Sequence, residues 1–395
     1  MDQRLADHLR YLAPTSPEPL GLEIVDAEGC YLWDRQGKRY LDLVAGLAVN
    51  NVGHRHPHVV KAIKEQCERF LHVIPYGEFV QEPQVGYAKA LCDRLPNGLD
   101  RVYFVNSGTE AIEAALKLAK RVTGRTRLIA FQQSYHGSTH GSLSITGNEN
   151  KKYRSRPLLP DVELLPFNDL NELERIDGNA ACVVIEPIQG DAGVRVPDPG
   201  FLKALRARCS DTGTLLVFDE VQTGFGRTGS LFAFEHFGAI PDILVLGKAL
   251  GGGLPMGAFI ASFDHMEMLA HDPVLGHITT FGGHPLPCVS GRAALEILLK
   301  EDLVGQAQRM GRSFVEELKA PGIMEVRGMG LMLAVELGDT RKVRRVVHRL
   351  LDQGILGYWF LSCPTAFRIA PPLTISNEQV LEACARIRQA VQTTA

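Results

Sequence analysis

The chain has no closely spaced cysteine pair, no long apolar run, and almost no excess of charge of either sign. Its eight cysteines (positions 30, 67, 92, 182, 209, 288, 363 and 384) include no C-x-x-C. Disulfide scaffolds are short and cysteine-dense, and zinc sites need close ligand pairs, so neither a disulfide framework nor a bound metal is expected. Scattered reduced thiols suit a reducing compartment, which makes the cytoplasm the expected location. No stretch approaches the ~18 consecutive apolar residues of a membrane span. The opening MDQRLADHLRYL alternates charged and apolar residues where a signal peptide would carry an apolar core. Lys and Arg total 42 against 45 Asp and Glu, a formal charge of −3. That balance leaves no electrostatic footprint for nucleic acid or an anionic membrane. Repeats, low-complexity tracts and Gly/Ser linkers are missing as well, so the domains are interleaved rather than strung out.

What remains is a chain of 395 residues, 45% hydrophobic and 22% charged. At ~150 residues per domain this is two or three domain-lengths of ordinary globular composition. Short strands are expected around Gly29 and Gly37, in GCYLWDRQGKRYLDL, and a helix after Pro57 carrying Val59, Val60, Ile63, Cys67, Phe70 and Leu71 at helical spacing. From about residue 101 the text alternates strand, glycine turn and helix. RVYFV, RLIAF, ACVVIE, TLLVFDE, DILVLG and GAFIAS are continuous apolar runs, as suits strands buried on both faces of a mainly parallel sheet. Beyond about 290 the pattern is helical, then strand-like in VRGMGLMLAVEL and RIAPP. The expected architecture is α/β. Residues 51–285 would form a large domain, with 1–50 and 286–395 folding together as a smaller α+β domain.

Three local patterns carry chemistry. Asn106-Ser107-Gly108-Thr109-Glu110 joins the strand RVYFV to a helix. Ser107 is a natural N-cap, and the free amides and dipole of a helix start attract an anion such as phosphate. Asp219 closes the buried run TLLVF, at the carboxyl end of a strand where open α/β sheets bind ligands. A buried aspartate there requires a cationic partner or several donors. Lys248 follows DILVLG and precedes ALGGG. A lysine among small and apolar residues is poorly solvated, which lowers its pKa and favours a nucleophilic amine. Anion turn, strand-end carboxylate and desolvated amine are the three fixtures of a pyridoxal phosphate (PLP) site.

With these residues in view, the chain resembles the class III (subgroup II) PLP-dependent aminotransferases, the group containing ornithine, acetylornithine and 4-aminobutyrate aminotransferases. The likeness runs in order through LWDRQGKRYLDLVAGLAVNNVGHRHP, VNSGTEAIEAALKLAKR, IEPIQGDAG, FDEVQTGFGRTG, LGKALGGGLPMGA, TFGGHPL and RIAPPL. The resemblance implies PLP fold type I, the aspartate-aminotransferase-like fold, and a homodimer with shared active sites. It implies that Lys248 carries the cofactor as a Schiff base and moves the proton during transfer, and that Asp219 pairs with the pyridine nitrogen. Ser107, Gly108 and Thr109 would hold the phosphate, Tyr135 and Val221 would pack on the two ring faces, and Gln222 would lie near the ring hydroxyl. Thr280 would reach the phosphate of the neighbouring subunit. Arg368 would bind the α-carboxylate of glutamate or 2-oxoglutarate, a bidentate task that lysine serves poorly. Glu186 and Asp191 match the family's two site carboxylates, and Asp191 the gate that pairs with the arginine. Aspartate is one methylene shorter than the family's glutamate there, which puts its reach in question.

The implied reaction moves the ω-amine of ornithine, acetylornithine or a related ω-amino compound to a 2-oxo acid, 2-oxoglutarate, in a ping-pong cycle. An aminomutase or decarboxylase on the same fold is the alternative, and Arg368 argues against it. Ser138 departs from the pattern, because ornithine and acetylornithine enzymes carry there an arginine for the donor carboxylate. His284, where many relatives have Asn, is a second departure. Two patterns are expected to be inert. Gly224-Phe225-Gly226-Arg227-Thr228-Gly229 fits G-x-G-x-x-G but opens no clear Rossmann helix. His54, His56 and His58 read as a turn before a helix rather than as metal ligands.

Overall fold

A computed structural model describes residues 3–394 apart from positions 18 and 76. Its centre is a seven-stranded sheet in the spatial order Arg101–Val105, Gly257–Ala261, Ile243–Leu246, Leu215–Asp219, Ala180–Ile185, Arg127–Phe131, Val162–Leu165. Gly257–Ala261 runs antiparallel to both neighbours, and the remaining pairings are parallel. The apolar runs are continuous because both faces are covered. Val183, Ile185, Leu216 and Phe218 enter one core cluster, while Cys182, Val184, Leu215 and Val217 enter the other. All six strands expected from composition are present. The seventh, Val162–Leu165, lacks a continuous apolar run because Glu163 interrupts it, and it is only partly buried at three of its four positions.

Two smaller sheets flank this core. One pairs Ile24–Glu28, Tyr31–Asp34 and Arg39–Asp42 with Ile355–Leu356, so both ends of the chain meet in it. The other contains Glu325–Met329, Met332–Glu336, Ala366–Ile369 and Tyr358–Trp359. The helix after His56 spans Pro57–Cys67, and it stops before Phe70 and Leu71. The three histidines diverge: His54 contacts Asp42, His56 caps the helix, and His58 contacts Glu296. Among the described residues no cluster could hold a metal ion, and no helix is long and apolar enough to cross a membrane.

The glycine-rich stretch 224–229 has a structural task. It leads only to a four-residue helix, Phe234–Phe237, which is no dinucleotide motif. Its Arg227 is fully buried and donates to the carbonyls of Leu331 (3.0 Å) and Pro371 (2.6 Å) and to Asn51 Oδ1 (2.5 Å). One guanidinium thus joins the N-terminal segment, the central region and the C-terminal segment. Burial lowers its pKa to about 9. Arg227→Ala strands three buried acceptors and is expected to cost about 4 kcal/mol, read as a lowered urea midpoint.

Candidate active site

Adjacent parallel strands deliver the two central residues to one sheet edge. Asp219 ends Leu215–Asp219 in register with Val245 of Ile243–Leu246, and Lys248 follows that second strand. Lys248 adopts φ +47°, an uncommon left-handed conformation for a non-glycine residue, directly after extended Gly247. Its Nζ donates to Gln222 Oε1 at 3.3 Å. Burial lowers the lysine pKa to about 8, against the opposing pull of Asp219 and Glu186.

Asp219 is 5% exposed. Its Oδ2 lies 2.8 Å from His136 Nδ1, and its Oδ1 accepts from the Val221 amide at 3.1 Å. A carboxylate only accepts, so Nδ1 of His136 carries the proton in this pair. His136 is the orienting partner of Asp219. The several donors that a buried aspartate requires are thus supplied by one side chain and one backbone amide.

The turn at Asn106–Glu110 forms a helix start. Ser107 caps the helix Gly108–Thr123, accepting from the Glu110 amide at 3.3 Å. A Cβ at Gly108 would meet Val221 at 2.9 Å, so only glycine allows this approach. Thr109 Oγ1 lies 2.7 Å from both Thr139 Oγ1 and Ser142 Oγ. Gly137 has φ +130°, and a Cβ there would strike Thr109 at 2.3 Å.

A cavity of about 180 Å³ gathers Gly108, Thr109, Tyr135, Ser138, Glu186, Asp191, Asp219, Val221, Gln222 and Lys248, together with His136 and Gly137. Ser107 stands behind its lining as the helix cap. Thr280 is exposed and outside it. Glu186 accepts from the amides of Tyr135 (2.9 Å) and Gly190 (2.8 Å), and burial raises its pKa to about 7. The Tyr135 hydroxyl lies 3.1 Å from Ser138 Oγ.

Arg368 stands behind Asp191. It lies on Ala366–Ile369 between Ala334 and Tyr358, 7% exposed, with its guanidinium 4.5 Å from the centre of the Phe360 ring. Its Nη2 is 3.6 Å from Asp191 Oδ1, so aspartate does span the distance that its length left in question. Burial lowers the Arg368 pKa, with Asp191 opposing. Its Nε is buried without a hydrogen-bond partner among the described residues, which leaves donor capacity for a carboxylate. Asp191 also receives Lys151 Nζ at 2.5 Å and Ser362 Oγ at 2.7 Å. Burial disfavours its charge, yet Lys151, Ser362 and Arg368 together hold the carboxyl below its usual range. Lys151 and Ser362 carry no motif in the sequence and are identified only by this convergence.

The residues present fit PLP on their own chemistry. A helix start stripped to glycine faces the cavity, a buried carboxylate with an orienting histidine lies at its base, and a desolvated amine completes it. Fold and site together therefore define a PLP enzyme of fold type I. The class-III aminotransferase model matches residues 11–391, and the chain belongs to that family. It is 43% identical over 372 residues to an acetylornithine aminotransferase of Methanopyrus kandleri, covering 93% of this chain and 94% of that protein. A [LysW]-aminoadipate semialdehyde/glutamate semialdehyde transaminase of Sulfolobus acidocaldarius is 40% identical, with 93% and 94% covered. A crystal structure of Toxoplasma gondii ornithine aminotransferase, with partial occupancy of PLP at its active site, superposes with a TM-score of 0.92 at 34% identity. That match covers 99% of this chain and 94% of the other.

Proposed function

We propose that the chain transfers the ω-amine of acetylornithine, ornithine or a related ω-amino compound to 2-oxoglutarate, in two half-reactions at one site. The observation that carries the reading is Arg368, a buried guanidinium beside the Lys248 cavity that pairs with Asp191 at 3.6 Å. PLP, when bound, supplies the electron sink that makes the carbon next to the substrate nitrogen acidic. The protein's own residues do the rest. Lys248, with its pKa brought down to about 8, exists in both protonation states near neutrality and suits proton transfer to and from that carbon. Asp219, oriented by His136, presents a fixed negative charge at the base of the cavity. Arg368 takes the α-carboxylate of the acceptor when Asp191 moves aside, and Asp191 covers it for a donor whose reacting end has no carboxylate.

Ser138 offers no guanidinium for a second carboxylate, which broadens the donor question beyond ornithine and acetylornithine. A panel of acetylornithine, ornithine, 4-aminobutyrate, lysine, diamines and simple ω-amines, with glutamate formation as readout, tests the reading. Arg368→Ala is expected to raise KM for 2-oxoglutarate roughly 100-fold, the loss of a bidentate charged contact, with only a few-fold change for the donor. Equal losses on both sides would contradict the assigned role.

The reading includes a homodimer in the cytoplasm. Leu71, Phe79, Val80 (95% exposed) and Phe281 leave large apolar side chains exposed, and the His72 ring packs at a tilt against Phe281. Such a patch marks an association surface, and the exposed Thr280 adjoins it in sequence. Sedimentation at micromolar concentration tests for the dimer.

A further inference from the structure

Two cations share the single carboxylate of Asp191. Arg368 faces Oδ1, and Lys151 faces Oδ2 at the shorter distance. Lys151 Nζ also lies 4.5 Å from the centre of the Tyr135 ring, and the Tyr135 hydroxyl contacts Ser138. Lys151 therefore stands beside the same cavity wall as Ser138, a side chain too short and uncharged to bind a carboxylate ionically. The backbone that carries Lys151 is fixed on its other side. The next residue, Lys152, is buried and donates to the Ser144 carbonyl at 2.9 Å, while Asn148 donates to Ser362 Oγ at 3.0 Å. The Lys151 side chain is thus aimed at Asp191 by an anchored turn, Glu149–Lys151.

We infer that Lys151 is a specificity residue that binds the substrate carboxylate remote from the reacting carbon, the task for which position 138 has no charge. The inference rests on the 2-oxoglutarate reading above. When Asp191 leaves, two cations are uncovered together, and a dicarboxylate neutralises both. A monocarboxylate brings one negative charge to the two cations, as Asp191 does, whereas a dicarboxylate brings one to each. The site accordingly selects a dicarboxylate acceptor by charge count as well as by length.

The test uses the PLP-loaded enzyme, Lys151→Met and Lys151→Arg, with 2-oxoglutarate and pyruvate as acceptors. The ratio of kcat/KM for 2-oxoglutarate to that for pyruvate is expected to fall roughly 30-fold in Lys151→Met, the size of one charge-assisted hydrogen bond. It should return to within about threefold of the parent in Lys151→Arg, since the charge is kept. Calorimetric binding of glutarate, which has both carboxylates and no reacting carbonyl, should weaken in Lys151→Met by a similar factor. Equal losses for both acceptors, with glutarate binding intact, would show that Lys151 only holds Asp191 in place and would overturn the inference. An unchanged ratio would overturn it too. Failure of the underlying reading shows separately, as an unsubstituted enzyme with no preference for 2-oxoglutarate over pyruvate.

Discussion

Lys248→Ala is expected to lower kcat roughly 10,000-fold and to abolish the visible absorbance band that PLP acquires on condensing with a lysine. In the proposed reading two functions are lost with one side chain: the amine that would fix the cofactor covalently, and the group that would carry the proton. The substitution should leave the fold intact, because among the described residues the Lys248 side chain makes one hydrogen bond, at 3.3 Å to Gln222. It also removes a cation whose burial is unfavourable, as the pKa lowered to about 8 shows. Unfolding of the cofactor-free protein should therefore be unchanged or shifted upward. The sign follows from linkage. Between pH ~8 and ~10.5 the unfolded chain binds more protons at this lysine than the folded one, so stability rises with pH across that window and is depressed below it. A variant that keeps either the absorbance band or substantial turnover would remove Lys248 from its assigned place.

Asp219→Asn is expected to reduce kcat by a factor of 100 to 1,000, on the order of removing one preorganised electrostatic partner from a buried site. The change is nearly isosteric, but it replaces a fixed negative charge with a dipole. It also disturbs the pair with His136. His136 Nδ1–H can still donate if the amide presents its oxygen, which leaves the Asn amide NH₂ facing the Val221 amide with no acceptor between them. The expected readout is a drop in kcat with retained, weakened PLP binding. His136→Phe should lose less, because the charge stays and only its orientation is relaxed. An Asp219→Asn enzyme within a few-fold of the parent rate would show that ring electronics do not depend on this carboxylate.

The fold and the cofactor site were legible because their signals are local. A strand buried on both faces is a short apolar run, whatever it packs against, and Ala180–Ile185 and Leu215–Asp219 show it directly. Ser107, Asp219 and Lys248 each sit at the end of such a run, so the strand and its terminal residue are read together. Val162–Leu165 escaped because Glu163 breaks its apolar run, whereas the other edge strand, Arg101–Val105, keeps one. Nothing in SYHG says that the partner of His136 is Asp219.

The sequence by itself indicated six of the seven central strands and the three fixtures of a PLP site, each as a local pattern, while the reaction class came from the likeness to the class III aminotransferases. Only the tertiary structure decided how the substrate end is charged. Asp191, Arg368, Lys151 and Ser362 come from separate segments and meet through packing of the central sheet against the C-terminal one. Whether an aspartate could reach the arginine depended on where two backbones were fixed, not on either side chain's length alone. The same packing gave Asp191 a second cation, and with it the charge that Ser138 does not supply.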